Sequence, residues 1–359
     1  MSQPDQPLNI REYAEAARRC LDPVHYDYVC GGARDEVTLR ANEAGFGRLS
    51  LLPRVLRGRE KRDLGVTLFG SRASMPVLLS PTAFHRLVTA AGERATARAA
   101  AAAGTIMIAS MAATVAVEDI AAAARDRAGD ETALWFQLYL QPRREVTEAL
   151  VARAVRAGAG ALVVTVDSPV LGASERNDRH GFHDLPAGLC CENMRGLASP
   201  DGHVRSIEMS PALSWEHLDQ LREMTRLPIL LKGVLHPADA EIALERGVDG
   251  LLLSNHGGRQ LDTVPATIDL LPEMAAVVAG RVPLLLDGGV RRGTDVVKAL
   301  ALGATAVGIG RPVMWGLAAG GEDGARRVLE LLRAETDHTF ALCGAGTPAD
   351  LTPDMVRRA

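Results

Sequence analysis

The residues best equipped for chemistry lie in one stretch, Ser254-Asn255-His256-Gly257-Gly258-Arg259-Gln260-Leu261-Asp262, which follows the apolar run Leu251-Leu252-Leu253. A buried strand ending in an imidazole, two glycines and a guanidinium delivers a proton acceptor and a carboxylate fork, with bare backbone that lets a flat ligand approach closely. A lone histidine is more often a core residue, but here other reactive groups share the pattern. Lys232 ends an apolar run, where an ammonium needs an electron-rich ligand, a carboxylate or a structural salt bridge. Asp167 ends another and is placed either to orient His256 or to cap the next helix. Two glycine-rich ends, Asp287-Gly288-Gly289-Val290-Arg291-Arg292-Gly293-Thr294 and Gly308-Ile309-Gly310-Arg311-Pro312, supply amides and arginines for a phosphate. Either alone reads equally well as a tight turn, and together they favour a phosphorylated cofactor. No GxGxxG marks a dinucleotide unit. His180, His183, Cys190, Cys191 and His203 crowd one region without a zinc spacing, so no metal is expected.

These groups must be positioned by the strands they terminate. Eight short apolar runs, at 77–80, 105–109, 134–138, 161–166, 229–231, 250–253, 283–286 and 306–309, alternate with helix-like segments. The pattern predicts an α/β (β/α)8 TIM barrel, with an open doubly wound sheet as the alternative. Every run ends in polar or glycine residues, as barrel active sites require. Residues 1–74 read as an N-terminal helical cap, with a helix from Ile10 to Cys20 and a second through Asn42. The barrel spans 75–345, with a long, lid-like insertion after strand 4 at 168–227, and 346–359 read as a C-terminal tail.

Forty Lys and Arg against 44 Asp and Glu give a net charge of −4, so no basic footprint favours nucleic acid or an anionic membrane. A small-molecule partner follows. Five cysteines without framework spacing point to a reducing compartment, and neither a signal peptide nor a spanning segment is legible, so a cytoplasmic protein is expected.

From about Tyr13 to Gly344 the chain resembles the FMN-dependent 2-hydroxy-acid oxidases and dehydrogenases, the group that oxidises glycolate, lactate and mandelate. The stretch from Ser254 to Asp262 is the most specific match. Tyr26-Asp27-Tyr28, Pro81-Thr82-Ala83, Phe136-Gln137-Leu138-Tyr139, Thr165-Val166-Asp167, Leu231-Lys232-Gly233 and Asp287-Gly288-Gly289-Val290-Arg291-Arg292-Gly293 support it. The resemblance implies FMN, with Pro81, Thr82, Ala83, Ser110, Gln137, Thr165 and Ser254 around the flavin and Lys232 stabilising its reduced form. It assigns Asp287, Gly288, Gly289, Arg291, Gly310 and Arg311 to the ribityl chain and phosphate. Tyr28, Tyr139 and Arg259 would bind substrate, with His256 as base and Asp167 as its partner.

Two positions depart from that pattern. Ala112 stands where the short-chain oxidases carry tryptophan, and Ser174 where a second substrate-side arginine is expected. The first enlarges the pocket; the second weakens carboxylate binding or passes it to Arg176. The expected reaction is therefore oxidation of a bulky, aryl (mandelate-like) 2-hydroxy acid to its 2-oxo acid, with dioxygen as acceptor, by a homotetramer. The alternatives are a larger or carboxylate-modified substrate, a barrel isomerase or lyase for a phosphorylated compound, and a flavin-binding protein without turnover.

Overall fold

In the computed structural model, which describes residues 6–129, 133–197 and 204–358, the chain begins with three helices, α1 (Ile10–Cys20), α2 (Pro23–Cys30) and α3 (Val37–Gly47). Helix α1 starts where the Asn9 side chain accepts from the amides of Arg11 and Glu12, and it buries Ile10, Tyr13, Ala16 and Ala17. Helix α2 was not expected: its small apolar face gives no periodic signal, although Asp22 at its N-cap and Pro23 at its first position are start signals. The expected second helix is α3, and it runs past Asn42 to Gly47. Strand β1 (Leu49–Leu51) and a hairpin, β2 (Val66–Leu68) with β3 (Ser71–Ala73), lead into the barrel.

Eight parallel strands then close on themselves: β4 (Val77–Leu79), β5 (Met107–Ser110), β6 (Leu134–Leu138), β7 (Leu162–Thr165), β8 (Ile229–Lys232), β9 (Gly250–Leu253), β10 (Leu284–Asp287) and β11 (Ala306–Ile309). All eight expected runs are present, shifted by at most two residues at an end. Every residue of every barrel strand is buried, because one face packs the lumen and the other the helices. Closure decides against an open sheet. Leu78, Ile108, Trp135, Val163, Leu230, Leu252 and Leu285 fill the lumen, and Phe69 of the hairpin packs on Trp135, plugging the end where the strands begin.

The outer layer comprises α4 (Glu93–Ala102), α5 (Val117–Ala128), α6 (Arg144–Ala157), α7 (Glu175–His180), α8 (Trp215–Met224), α9 (Pro237–Glu245), α10 (Thr267–Val278), α11 (Gly293–Ala301) and α12 (Arg311–Leu342). Helix α12 bends where Gly320 and Gly321 leave helical geometry. Of the expected insertion at 168–227, the last part is α8, an ordinary barrel helix, and the lid proper carries α7. Residues 346–358 are no loose tail: after two short 3-10 turns, β12 (Val356–Arg358) pairs antiparallel with β1, so both ends of the chain belong to the cap. No helix among the described residues is long and apolar enough to cross a membrane.

Candidate active site

The polar strand ends converge on one cavity of about 420 Å³ at the end of the barrel where the strands finish. Pro81, Thr82 and Ala83 enter from β4, Ser110 and Ala112 from β5, Gln137 and Tyr139 from β6, and Thr165 from β7. Lys232 comes from β8, His256 and Arg259 from β9, Asp287, Gly288, Gly289 and Arg291 from β10, and Gly310 and Arg311 from β11. The cap contributes Tyr28 and the lid Ser174. Asp167 and Ser254 stand one layer behind the wall.

His256 sits between two groups. Its Nδ1 donates to Asp167 Oδ1 at 2.9 Å, which leaves Nε2 as the acceptor, with the Tyr139 hydroxyl 3.5 Å away. Burial pushes the Asp167 carboxyl up, but the neighbouring His256 imidazole, which hydrogen-bonds it, and the Lys232 ammonium outweigh burial and hold the group well below the usual carboxylate range. Burial, reinforced by the Asp167 charge, holds the Tyr139 phenol well above its ordinary value, so it is a hydroxyl at neutral pH. The His256 backbone is left-handed, with φ of 57°, a conformation a non-glycine residue adopts at a cost. Its amide donates to Ser254 Oγ at 3.1 Å, which explains why Ser254 supports the site from behind.

Arg259 is partly committed. Its Nη1 donates to the carbonyls of Tyr28 (2.7 Å) and Gly31 (3.0 Å), and its guanidinium lies 5.0 Å over the Tyr28 ring. The remaining guanidinium nitrogens make no protein hydrogen bond among the described residues. Tyr28 is held from the other sides by Phe84 and Phe182.

At the far end, Arg311 donates to Gly257 O (2.9 Å) and Gly31 O (2.7 Å) and has no carboxylate partner among the described residues. Burial, together with the nearby charges of Arg259 and Arg291, pushes it well below the usual arginine range, as expected where an anion is wanted. Arg291 is buried over the Trp315 ring and pairs with Glu43 at 2.8 Å. Gly289, at φ of 88°, must be glycine, since a Cβ there would lie 2.1 Å from the Asn42 carbonyl oxygen. Gln137 Nε2, Thr165 Oγ1, Asp287 Oδ1, Arg291 Nε and Arg311 Nε are all buried without a partner among the described residues. Orphans of this kind, strung along one cavity, ask for a polar ligand.

One expected residue is not brought into the site. Arg176 turns away and pairs with Asp27 (3.2 Å) and Glu36 (2.6 Å), whose carboxylates satisfy it, so it does not replace an arginine at position 174. Ser174 caps α7, accepting from the Asn177 amide at 3.4 Å. His180 also binds Asp27, Cys190 hydrogen-bonds Glu192, and no metal-binding cluster occurs among the described residues; His203 lies outside them. The sequence reading missed several supports. Asn42 and Asn255 exchange two 2.8 Å amide hydrogen bonds, fastening α3 to the His256 loop. Asp262 accepts from the amides of Val37 and Thr38, and Gln260 ties the loop to the lid through Gly172 N and Val170 O. Arg205, Asp178 and Asp184 reach the cavity from the lid. Only the amide types within the signature pointed to any of these, and their partners are remote in sequence.

Comparison with known proteins bears on this arrangement. Residues 17–358 match the model of the FMN-dependent dehydrogenase family. A 2-hydroxyacid oxidase of Dictyostelium discoideum is 43% identical over 98% of this chain and 90% of its own length. Glycolate oxidase 1 of Oryza sativa subsp. indica is 45% identical over 96% of this chain and 94% of its own. Among solved structures, mandelate oxidase with benzoyl-formic acid superposes with a TM-score of 0.88 at 37% identity, covering 98% of both chains. The residues present fit FMN: the orphaned donors and acceptors span the cavity from Gln137 and Thr165 to Asp287, and the anion-seeking pair Arg291 and Arg311 closes its end.

Proposed function

Because this chain belongs to the FMN-dependent dehydrogenase family, we propose that it oxidises the 2-hydroxyl of a 2-hydroxy acid with a bulky, aryl side chain to the 2-oxo compound, with dioxygen as the final acceptor. The observation that carries the reading is His256, oriented by Asp167 at 2.9 Å with its Nε2 free, in the same cavity as a complete flavin grip. FMN, when bound, supplies the two-electron acceptor that protein side chains lack. The chain's own residues do the rest. Arg259 and Tyr28 hold the carboxyl end of the substrate, Tyr139 hydrogen-bonds its hydroxyl, and His256 takes a proton at Nε2 while Asp167 stabilises the imidazolium. Lys232, buried in the wall, places a fixed positive charge where negative charge accumulates.

The side-chain preference rests on Ala112, which lines the cavity with only a methyl group where short-chain oxidases carry tryptophan. A barrel isomerase would use the same phosphate grip, but the buried Lys232 and the unpaired donors around the flavin position would then have no task. A reducing, cytoplasmic setting agrees with five free cysteines, and a homotetramer is the assembly we expect. The test is anaerobic addition of mandelate to the isolated yellow protein: bleaching of the flavin is expected, and admission of air should restore the colour. A flavin that stays oxidised with every 2-hydroxy acid and derivative offered overturns the assignment. Ala112→Trp should lower kcat/KM for mandelate relative to lactate, by the roughly 10–200-fold of a pocket clash. An equal loss for both substrates removes the argument for an aryl group.

A further inference from the structure

The carboxyl side of the substrate position is short of positive charge and open beyond it. Arg259 is the cation at that end, and its Nη1 is already shared between two backbone carbonyls. Arg176, the other arginine nearby in sequence, is neutralised by Asp27 and Glu36. Ser174 is short, and its hydroxyl is used in capping α7. The cavity therefore continues past it to Asn177, Asp178, Phe182, His183, Asp184 and Arg205. That extension carries acceptors and donors side by side. Asn177 Oδ1 is buried with no donor among the described residues, and Asp178, which faces His183 at 3.9 Å, and Asp184 line the same wall. At Arg259 a free carboxylate has only the uncommitted part of one guanidinium to meet it, and the wall ahead mixes Asp178 and Asp184 with His183 and Arg205, so it offers no concentrated positive charge in exchange. A neutral carbonyl needs only the remaining donors of Arg259 and the Tyr28 hydroxyl. An N–H beyond that carbonyl meets Asn177 Oδ1, which has no donor among the described residues.

We propose that the substrate carries its carboxyl group as an amide: a 2-hydroxyacyl amide whose amine portion runs past Ser174 along α7. The proposal rests on the oxidation assigned above and changes only what is attached to C1. The reaction balances as before: the C2–H and O–H bonds break, a C2=O bond forms, and two electrons and two protons leave. One proton goes to His256, the electron pair with the other passes to FMN, and dioxygen is reduced to hydrogen peroxide. The C1–N bond is untouched.

The experiment uses the holoenzyme and substrates matched in side chain: mandelate, methyl mandelate, mandelamide and N-benzylmandelamide, with lactate and lactamide as a second pair. Flavin reduction is followed anaerobically and kcat/KM aerobically. The amide is expected to exceed its free acid by about tenfold or more, the scale of one hydrogen bond to a charged partner gained or lost. N-benzylmandelamide should be at least as good as mandelamide, and Ser174→Arg should reverse the acid-to-amide ratio in favour of the acid. A wild-type preference for the free acids overturns the proposal whatever the variant does, as does an ester that matches the amide, because the N–H then counts for nothing. Flavin reduced by the acids alone leaves the oxidase reading standing and removes the amide; flavin reduced by none of the compounds removes both.

Discussion

At the residue scale, the site works by fixing protons rather than by collecting charges. His256 accepts a proton only if Nδ1 keeps its own, and Asp167 ensures this. Replacing His256 with Ala should leave a folded protein that still retains flavin, with substrate reduction slowed by on the order of 10²–10⁴-fold; reduction within a few-fold of wild type would contradict the role. Asp167→Asn should lose a comparable amount of rate, and it also carries a pH signature. The folded Asp167 titrates below its unfolded value, so its charge stabilises the fold above the ordinary carboxylate range, and that contribution disappears as pH falls through the folded value. The gap in urea midpoint between wild type and variant should therefore be full at pH 7 and narrow on acidification below about pH 4. A gap unchanged by acid would mean that the Asp167 charge contributes nothing to stability.

At the element scale, the His256 loop is held by pieces of chain far from it. Helix α3 has no cap of its own, since Glu36 is left-handed and makes no capping bond; Asp262 takes that role from the other end of the signature stretch. Asp262→Ala should cost about 1–2 kcal/mol of stability, as lost caps do, and should raise KM with little change in flavin content. A thermal shift without any kinetic effect would show that α3 and the loop are not coupled. These supports explain what could be read from the sequence. Eight buried parallel strands write themselves as apolar runs, and their polar ends follow the rule that barrel sites sit there, so the barrel and most of the cavity wall were legible. What was not legible depends on remote pairing: Asn42 with Asn255, Asp262 with α3, and β12 with β1. Arg176 misled for the same reason, because proximity in sequence to Ser174 says nothing about Asp27 and Glu36, which claim it.

At the scale of the whole molecule, cap, lid and barrel meet around the proposed cofactor position. Arg311 donates to Gly31 of the cap and to Gly257 of the signature loop, and it lies near Arg259 and Arg291, so three guanidiniums share a small volume while, among the described residues, only Arg291 has a carboxylate. Without an anion this end repels itself. FMN should therefore act as a structural ligand of the entire chain, adding about 2.7 kcal/mol when present at 100 times its dissociation constant. Stripped protein should unfold at a lower temperature, and inorganic phosphate, which occupies only the arginine end, should restore part of the difference. Arg311→Ala should abolish the phosphate effect and weaken FMN retention more than Arg291→Ala, because Glu43 already offsets the second charge and its loss leaves Arg311 in place. If phosphate stabilises the Arg311→Ala apoprotein as much as the unaltered one, the anion is held elsewhere and the cofactor's orientation in the cavity must be reversed.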